Sequence, residues 1–406
     1  MRALRNHEFR ILLASLVASV TGDQLFPVAV TIAVLNAHGS ATTVGLVLAA
    51  RWAALVIFSL FGGVWADRVP RRAVMLVAQG GQCLVIATGL LNPESTQLLG
   101  MMVFLTGAGE AFYRPAFLAC LGAVLNPAER PTGAALNAVA WRLGAIAGPG
   151  LGALLVSATS PRVGFLAALI ALALSFVTLL RLREPVIHPD VRRSAVREMA
   201  DGFTEVWRHR WIGTVILVSA AQTMLTIAPA AVVLPLVSRV QFGGDTVYGT
   251  ALSLLSVGGL IGALVSLRWH PRKRGMVGMA GLALYGLVPL ALNWTGLIYI
   301  AYPLAGFGLE IYAVQAVLGT QAEIPPSRLA RVISVDWLTQ SMFTPLGLAL
   351  TGPAIGEWGL TPVLMLAALA GFTPPLLALL VPGVTAFRGL SGRPPVRVRA
   401  GQSLQA

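Results

Sequence analysis

The sequence predicts an all-α membrane protein: twelve transmembrane helices in two pseudo-symmetric six-helix bundles. Three observations lead there. Of the 406 residues, 56% are hydrophobic and only 11% charged, with a mean hydropathy of +0.78. A soluble domain carries about 25% charged residues, so this chain lacks the polar groups to cover a water-facing surface. Its apolar residues fall into twelve runs, each close to the roughly 20 residues that cross a bilayer as a helix. The longest gap between runs, 182–210, divides them six and six.

The expected spans are 11–35, 43–66, 73–92, 98–125, 132–157 and 162–181 in the first half. The second half has 211–237, 246–267, 275–293, 296–322, 330–353 and 361–382. The gaps are mostly short and rich in Pro, Gly, Asn and Ser, as loops are. The first run follows Arg2, Arg5 and Arg10 but outlasts a signal peptide and contains Asp23, so it reads as a retained span. The organisation expected is therefore a bundle over 1–181, a linker over 182–210, a second bundle over 211–382 and a disordered tail over 383–406. Within the linker, 192–208 has helical periodicity suited to lying along a membrane surface.

Charge placement gives orientation. The net charge is +13, and 28 of the 29 basic residues are Arg, Lys273 being the exception. The N-terminus, even-numbered loops, linker and tail hold 24 of them; the odd-numbered loops hold Arg162 and Arg239; Arg51, Arg114 and Arg142 lie inside spans. Basic residues stay on the cytoplasmic side, so both termini and the linker are expected there. The basic residues form no continuous face, which argues against nucleic acid as a partner. Cys83 and Cys120 lie within apolar runs and read as small buried hydrophobes. No H-E-x-x-H, G-x-S-x-G or G-x-x-x-x-G-K-[ST] pattern occurs, so an enzyme, ATP use and a metal site are not expected. The gaps WADRVPRR (Trp65–Arg72) and RWHPRKRG (Arg268–Gly275) are both short and basic and follow the second span of their half, a weak internal repeat of the kind transporters carry.

GGVWADRVPRR resembles the cytoplasmic signature of the major facilitator superfamily through Gly63, Asp67, Arg68, Arg71 and Arg72; Trp65 and Pro70 depart from it. GAIAGPGLG, with Gly144, Gly148, Pro149 and Gly152, is similar to the fifth-helix motif of that family's proton-coupled exporters. NHEFRILLASLVASVTGDQL, VGLVLAAR and LARVISVDWLTQSMFTPLGLALTGP resemble a bacterial exporter branch that includes macrolide-efflux and enterobactin-exporter proteins. The resemblance implies a secondary active transporter of the bacterial inner membrane, a monomer in the lipid bilayer. It would export a small amphipathic molecule (a drug, macrolide or siderophore-like product) against protons by alternating access, with the proton gradient as energy source and no cofactor. Import, uncoupled passage of a small solute and a non-transporting sensor or scaffold remain as alternatives.

The resemblance also implies that helices 1, 4, 7 and 10 line a central cavity and that helices 3, 6, 9 and 12 face lipid. The residues agree: apart from Arg162 and Arg181 at the two ends of 162–181, the latter four spans contain no Asp, Glu, Lys or Arg, while spans 1, 4 and 10 hold Asp23, Glu110, Arg114 and Glu310. Intramembrane charges normally face the protein interior. At 1.5 Å per residue, Asp23 and Glu110 lie roughly 18 Å, Arg51 roughly 12 Å, and Arg114 and Arg142 roughly 22–24 Å below the outer helix ends. Asp23 is expected to meet Arg51, and Glu110 shares a helical face with Arg114; structural ion pairing and a direct role in transport weigh equally for these four. Glu310 has no basic residue in its own span. Removal from water favours a neutral carboxyl, which makes Glu310 the leading proton-coupling candidate, ahead of Asp23 and Glu110. Hydroxyls such as that of Tyr312 are the alternative partners. Phe26, Phe112, Tyr113, Phe307 and Tyr312 would suit an amphipathic cargo, although ordinary packing explains any one of them. Gln222, Thr223 and Thr226 are candidate polar contacts on helix 7. Asp67, Arg68, Arg71 and Arg72 are expected to latch onto helix 11 and Asp336 at a cytoplasmic gate. Gly144, Gly148 and Gly152 form a flat strip for close packing, read as an outer seal.

Overall fold

The computed structural model describes residues 3–66, 69–92, 95–126, 129–183, 195–269 and 271–388, and all their regular structure is helical. The first half contains α1 (His7–Asn36), α2 (Ala41–Ala66), α3 (Arg71–Leu91), α4 (Thr96–Val124), α5 (Arg130–Ala158) and α6 (Pro161–Leu180). A short helix follows in the linker, α7 (Ala195–Arg208). The second half contains α8 (Arg210–Gln222), α9 (Ala228–Phe242), α10 (Thr246–Arg268), α11 (Arg274–Ala283), α12 (Leu287–Asn293), α13 (Ile298–Glu323), α14 (Pro326–Trp358) and α15 (Leu360–Ala378).

Local chemistry sets the ends. The Asn6 side chain accepts from the amides of Glu8 and Phe9 and so caps α1; Ser95 does the same for α4 and Ser160 for α6. The chain leaves α9 through Gly243 at φ 71°, a left-handed turn that glycine adopts without steric cost. Two spans are interrupted. A π-turn over Thr223–Ile227 joins α8 to α9, and a 3₁₀ turn over Leu284–Gly286 joins α11 to α12. Each lies just before a proline, Pro229 and Pro289, whose ring cannot accept a regular helical carbonyl four residues back. The turn widens or tightens there to make room.

Among the described residues, ten helical segments are long and apolar enough to cross a membrane. The helices α4 and α14, at 29 and 33 residues, have the length too. They are less apolar because α4 carries Glu110 and Arg114, and α14 carries Arg328, Arg331, Asp336 and Glu357.

Packing divides the chain. In the first half α1 lies against α5 and α6, and α4 against α2 and α3; in the second, α13 lies against α10 and α11, and α15 against α11 and α12. The two halves touch mainly along two seams, α2 with α14 and α5 with α10. Glycines permit the closest approaches: Gly45 meets the Leu348 carbonyl, Gly352 meets Thr42, and Gly150 meets Ser253. The apolar cores have an asymmetric layout. One core spans both halves, with Val30, Val34 and Phe165 beside Val232, Leu234 and Leu292. At the other end there are two separate cores, one around Phe9, Phe117 and Leu179 and one around Trp211, Met279 and Val332. The halves are thus fused at the end holding loops 37–40 and 243–245, and distinct at the end where α7 lies.

The linker helix α7 covers much of the stretch expected to be helical. It packs on α14, where Glu205 accepts from Arg328 (2.8 Å) and Asp201 from Arg331 (3.2 Å). At the start of the tail, Phe387 is buried and stacks on Trp211 with ring centroids 5.3 Å apart.

Candidate functional site

A polar cluster lies inside the first half. Arg51 on α2 donates from Nε and Nη2 to Oε2 of Glu110 on α4, at 3.2 and 2.8 Å. Both side chains are largely buried. An ion pair away from water persists only where hydrogen bonds satisfy both partners. Asp23 on α1, expected to meet Arg51, instead accepts from the Ser19 hydroxyl (3.2 Å) and the Gln82 amide (3.5 Å). Arg51 lies near enough to Asp23 to attract it through charge, but its Nε and Nη2 donors go to Glu110, and the hydrogen bonds of Asp23 come from neutral donors. Gln82 also donates to the Thr106 carbonyl (3.0 Å), and Gln79 donates to Ser19 and Gln82, both at 3.1 Å. These glutamines come from α3, whose buried face closes the cluster.

A cavity of about 150 Å³ adjoins the cluster, lined by Ser19, Asp23, Glu110, Arg114, Asn137 and Trp141. Arg114 lies one turn beyond Glu110, so both reach it. The Arg114 guanidinium stacks on Trp141 at 4.5 Å and approaches Trp337 of α14 at 5.6 Å, a cation–π arrangement that spans both halves.

Glu310 on α13 is not solitary. Arg142 on α5 donates from Nε to Oε1 of Glu310. The expectation of an unpaired carboxyl followed from its own helix, which has no cation; the partner arrives from the other half. The Glu310 side chain is 11% exposed and that of Arg142 40%, so the pair is dry on one side only.

A third constellation closes the fused end. Arg239 on α9 donates to both oxygens of Asp245 (2.6 and 2.7 Å), to Oδ1 of Asn36 (2.6 Å) and to the carbonyl of Ile32 (3.3 Å). Asp245 fixes the guanidinium so that it reaches the C-terminal end of α1, where a cation is favoured.

The other expected residues have varied surroundings. Phe26 is buried against Phe165 (5.8 Å), and Phe112 packs near Phe58 (6.1 Å). Tyr113 is buried, shares a hydrogen bond with Ser15 (3.1 Å) and stacks on Phe117. Gln222 donates to the Leu282 carbonyl (2.7 Å), Thr226 to that of Ala367 (2.9 Å) and Thr223 to that of Ser219 (2.9 Å). These polar groups serve backbone carbonyls within the second half. Tyr312 joins the second-half core, and the Phe307 backbone approaches Gly262. Gly144, Gly148 and Gly152 pack on Val20, Gln24 and Leu25 of α1, with Pro149 in the same helix. At the seam with the second half it is Gly150 that meets Ser253 of α10.

At the expected cytoplasmic gate, Asp67 and Arg68 lie outside the described residues, as does the side-chain environment at Gly63. Arg71 donates to the Ala119 carbonyl (3.2 Å), and Arg72 to those of Leu179 (3.1 Å) and Leu180 (2.6 Å). Asp336 accepts from Gln340 (3.1 Å).

Sequence reasoning missed Gln79, Gln82, Asn137, Trp141, Trp337, Asn36 and Asp245. For the two glutamines a signal existed: amides three residues apart in an apolar span share a helix face and need partners.

The comparisons with known proteins agree on one family. The pattern of the Major Facilitator Superfamily matches residues 12–348. The chain is 28% identical over 400 residues to the multidrug efflux pump Tap of Mycolicibacterium fortuitum, covering 90% of this chain and 95% of that protein. It is 26% identical over 373 residues to the enterobactin exporter EntS of Escherichia coli O81 (strain ED1a), covering 87% and 84%. Among solved structures, the nucleoside transporter NupG superposes with a TM-score of 0.66 at 13% identity over 92% of this chain and 98% of that one. A POT family transporter in complex with a thioalcohol-conjugated peptide gives 0.68 at 16% identity over 93% and 96%. At these identities the two structures speak for the fold alone.

Proposed function

The chain belongs to the major facilitator superfamily and is a multi-pass membrane transporter rather than an enzyme, and from that premise we propose that it is a proton-coupled exporter of a small amphipathic molecule. It works by alternating access across twelve spans, with both termini cytoplasmic, in a bacterial inner membrane. The observation that carries this reading is the core layout: one apolar core fuses the halves at one end, and each half keeps its own core at the other. Two bodies joined at one end and separable at the other can rock about a site between them. With the linker cytoplasmic, the fused end is the outer one, so this state is closed to the outside.

Glu310 and Arg142 supply the coupling. A proton arriving at Glu310 cancels the charge that holds Arg142, and the link between α5 and α13 weakens. Asp23 and Glu110 form a second proton-accepting pair beside the small cavity, balanced by Arg51 and Arg114. Export of a drug-like or siderophore-like cargo is supported by the similarity to Tap and EntS. The aromatic side chains near the cluster suit a cargo with an apolar body.

The test uses purified protein in liposomes with an imposed pH gradient, lipophilic dyes and aromatic siderophores as cargo, and nigericin to collapse the gradient. Gradient-driven cargo movement that nigericin abolishes and that Glu310→Gln loses is expected. Cargo movement indifferent to nigericin would sink proton coupling, and accumulation of cargo in intact cells relative to a deletion strain would sink export.

A further inference from the structure

A second cavity, of about 930 Å³, lies away from the charged cluster, between α14 and α15 and backed by the π-turn segment of α8 and α9. It opens sideways: Leu350, Leu366 and Leu369 on its walls are each more than half exposed. The walls are nearly all apolar. Thr351 spends its hydroxyl on the Gly347 carbonyl (2.7 Å). Protein interiors do not leave voids of this size, and water does not wet an apolar one. In a membrane, the groove must therefore be filled by hydrocarbon.

One charged residue lines it, Glu357, which is exposed and has no partner among the described residues. Its position adds to its charge. It lies in the last turn of α14, where unpaired carbonyls already carry partial negative charge and where no basic residue compensates. Trp358 beside it is 60% exposed, the placement of an interfacial aromatic. The mouth is thus anionic and rich in acceptors at the water boundary, and the body is apolar at membrane depth. That combination fits a lipid whose headgroup carries a primary ammonium with three N–H donors. A trimethylammonium head has the charge but no donor, and an anionic head is repelled.

We propose that this groove is a phospholipid site, seating an acyl chain of a phosphatidylethanolamine-type lipid with its ammonium against Glu357. The lipid belongs to the outer leaflet, a placement that rests on the topology proposed above. Its position matters because α14 is shared: one side walls the groove, and the other meets α2 through Gly352 and Thr42. A lipid there braces the helix that seals the outer end.

The test is native mass spectrometry of the full-length protein in detergent, titrated with phosphatidylethanolamine, phosphatidylcholine and phosphatidylglycerol of identical acyl chains. One phosphatidylethanolamine is expected to bind about tenfold more tightly than the other two, the size of one charge-assisted hydrogen bond. Glu357→Gln should erase that preference while leaving a lipid bound, and Ala370→Trp, which fills the groove, should remove the lipid. Leu174→Trp, on the exposed face of α6, should change nothing, and thermal melts establish that each variant is folded. Undiminished binding in folded Ala370→Trp, or equal affinity for all three lipids in the wild type, overturns the proposal. Tetraphenylphosphonium added to the same protein and bound in the wild type but not in Ala370→Trp, with no lipid bound to either, overturns it in favour of a cargo route. Glu357→Cys, in a Cys83→Ala, Cys120→Ala background, should react with an impermeant maleimide on intact cells. Reaction only in inverted vesicles overturns the leaflet and the topology behind it, and leaves the lipid titration to stand separately.

Discussion

Arg142 and Glu310, 168 positions apart in the chain, join in an ion pair that ties α5 of the first half to α13 of the second. A link between two bodies that must separate has to be weak enough to break. With Arg142 40% exposed, solvent screening holds the pair to about 1 kcal/mol or less. Glu310→Gln should therefore shift the opening equilibrium by up to about fivefold with little effect on melting temperature. Spin-label distances between the α7-side ends of α5 and α13 should lengthen, and lose their pH dependence. Distances that respond to pH as in the wild type would take Glu310 out of the coupling step.

That pair also shows where sequence stops being informative. Hydropathy placed the spans well: 11–35 became His7–Asn36, and 246–267 became Thr246–Arg268. Lipid imposes a period and a length that can be read along one dimension. The linker helix was visible in the same way. Partnerships were not, because a side chain's partner depends on which helix arrives beside it. Depth places Asp23 and Arg51 near each other, and they do interact through charge, yet the hydrogen bonds of Arg51 go to Glu110, across from α2 to α4. Gln222 and Thr226 read as polar contacts for a cargo, yet the Leu282 carbonyl of α11 and the Ala367 carbonyl of α15 claim them. The two-seam geometry was hidden for the same reason.

The Arg51–Glu110 pair makes a different prediction, because it is buried within one half. Removing one partner leaves an unpaired charge away from water, at a cost of roughly 3–5 kcal/mol. Arg51→Ala and Glu110→Ala should each lower the melting temperature sharply. The double change Arg51→Met, Glu110→Leu should restore most of it. Transport by the stabilised double variant decides whether the pair is structural or functional: activity near wild type would remove both residues from the mechanism.

The Arg239 network predicts an outer latch. Its guanidinium holds Asp245 with two parallel bonds and reaches Asn36 and Ile32 on the other half with a third and fourth. Arg239→Ala should raise the outside reactivity of cysteines placed along the outer halves of α2 and α14. Arg239→Lys should behave nearly as badly, since an ammonium cannot reproduce the planar fork. Full recovery by Lys would show that charge alone suffices and that the geometry described here is incidental.

Two glycines two residues apart, on opposite faces of α5, give the sharpest separation between folding and gating. A Cβ at Gly148 would lie 2.6 Å from Cβ of Gln24 on α1, within the same half; one at Gly150 would lie 2.7 Å from the Cα of Ser253 on α10, across the seam. Neither contact can be tolerated without movement, but different bodies must move. Gly148→Ala pushes α5 off its own bundle and should cost stability, on the order of 1–3 kcal/mol for an overpacked interior. Gly150→Ala pushes the halves apart, a motion that alternating access already permits. It should leave the melting temperature within a degree or two and instead populate the outward-open state, seen as faster outside labelling of a cysteine at Ser253. If both substitutions lowered stability alike and neither altered labelling, α5 and α10 would be parts of one rigid body, and the rocking motion could not occur along that seam.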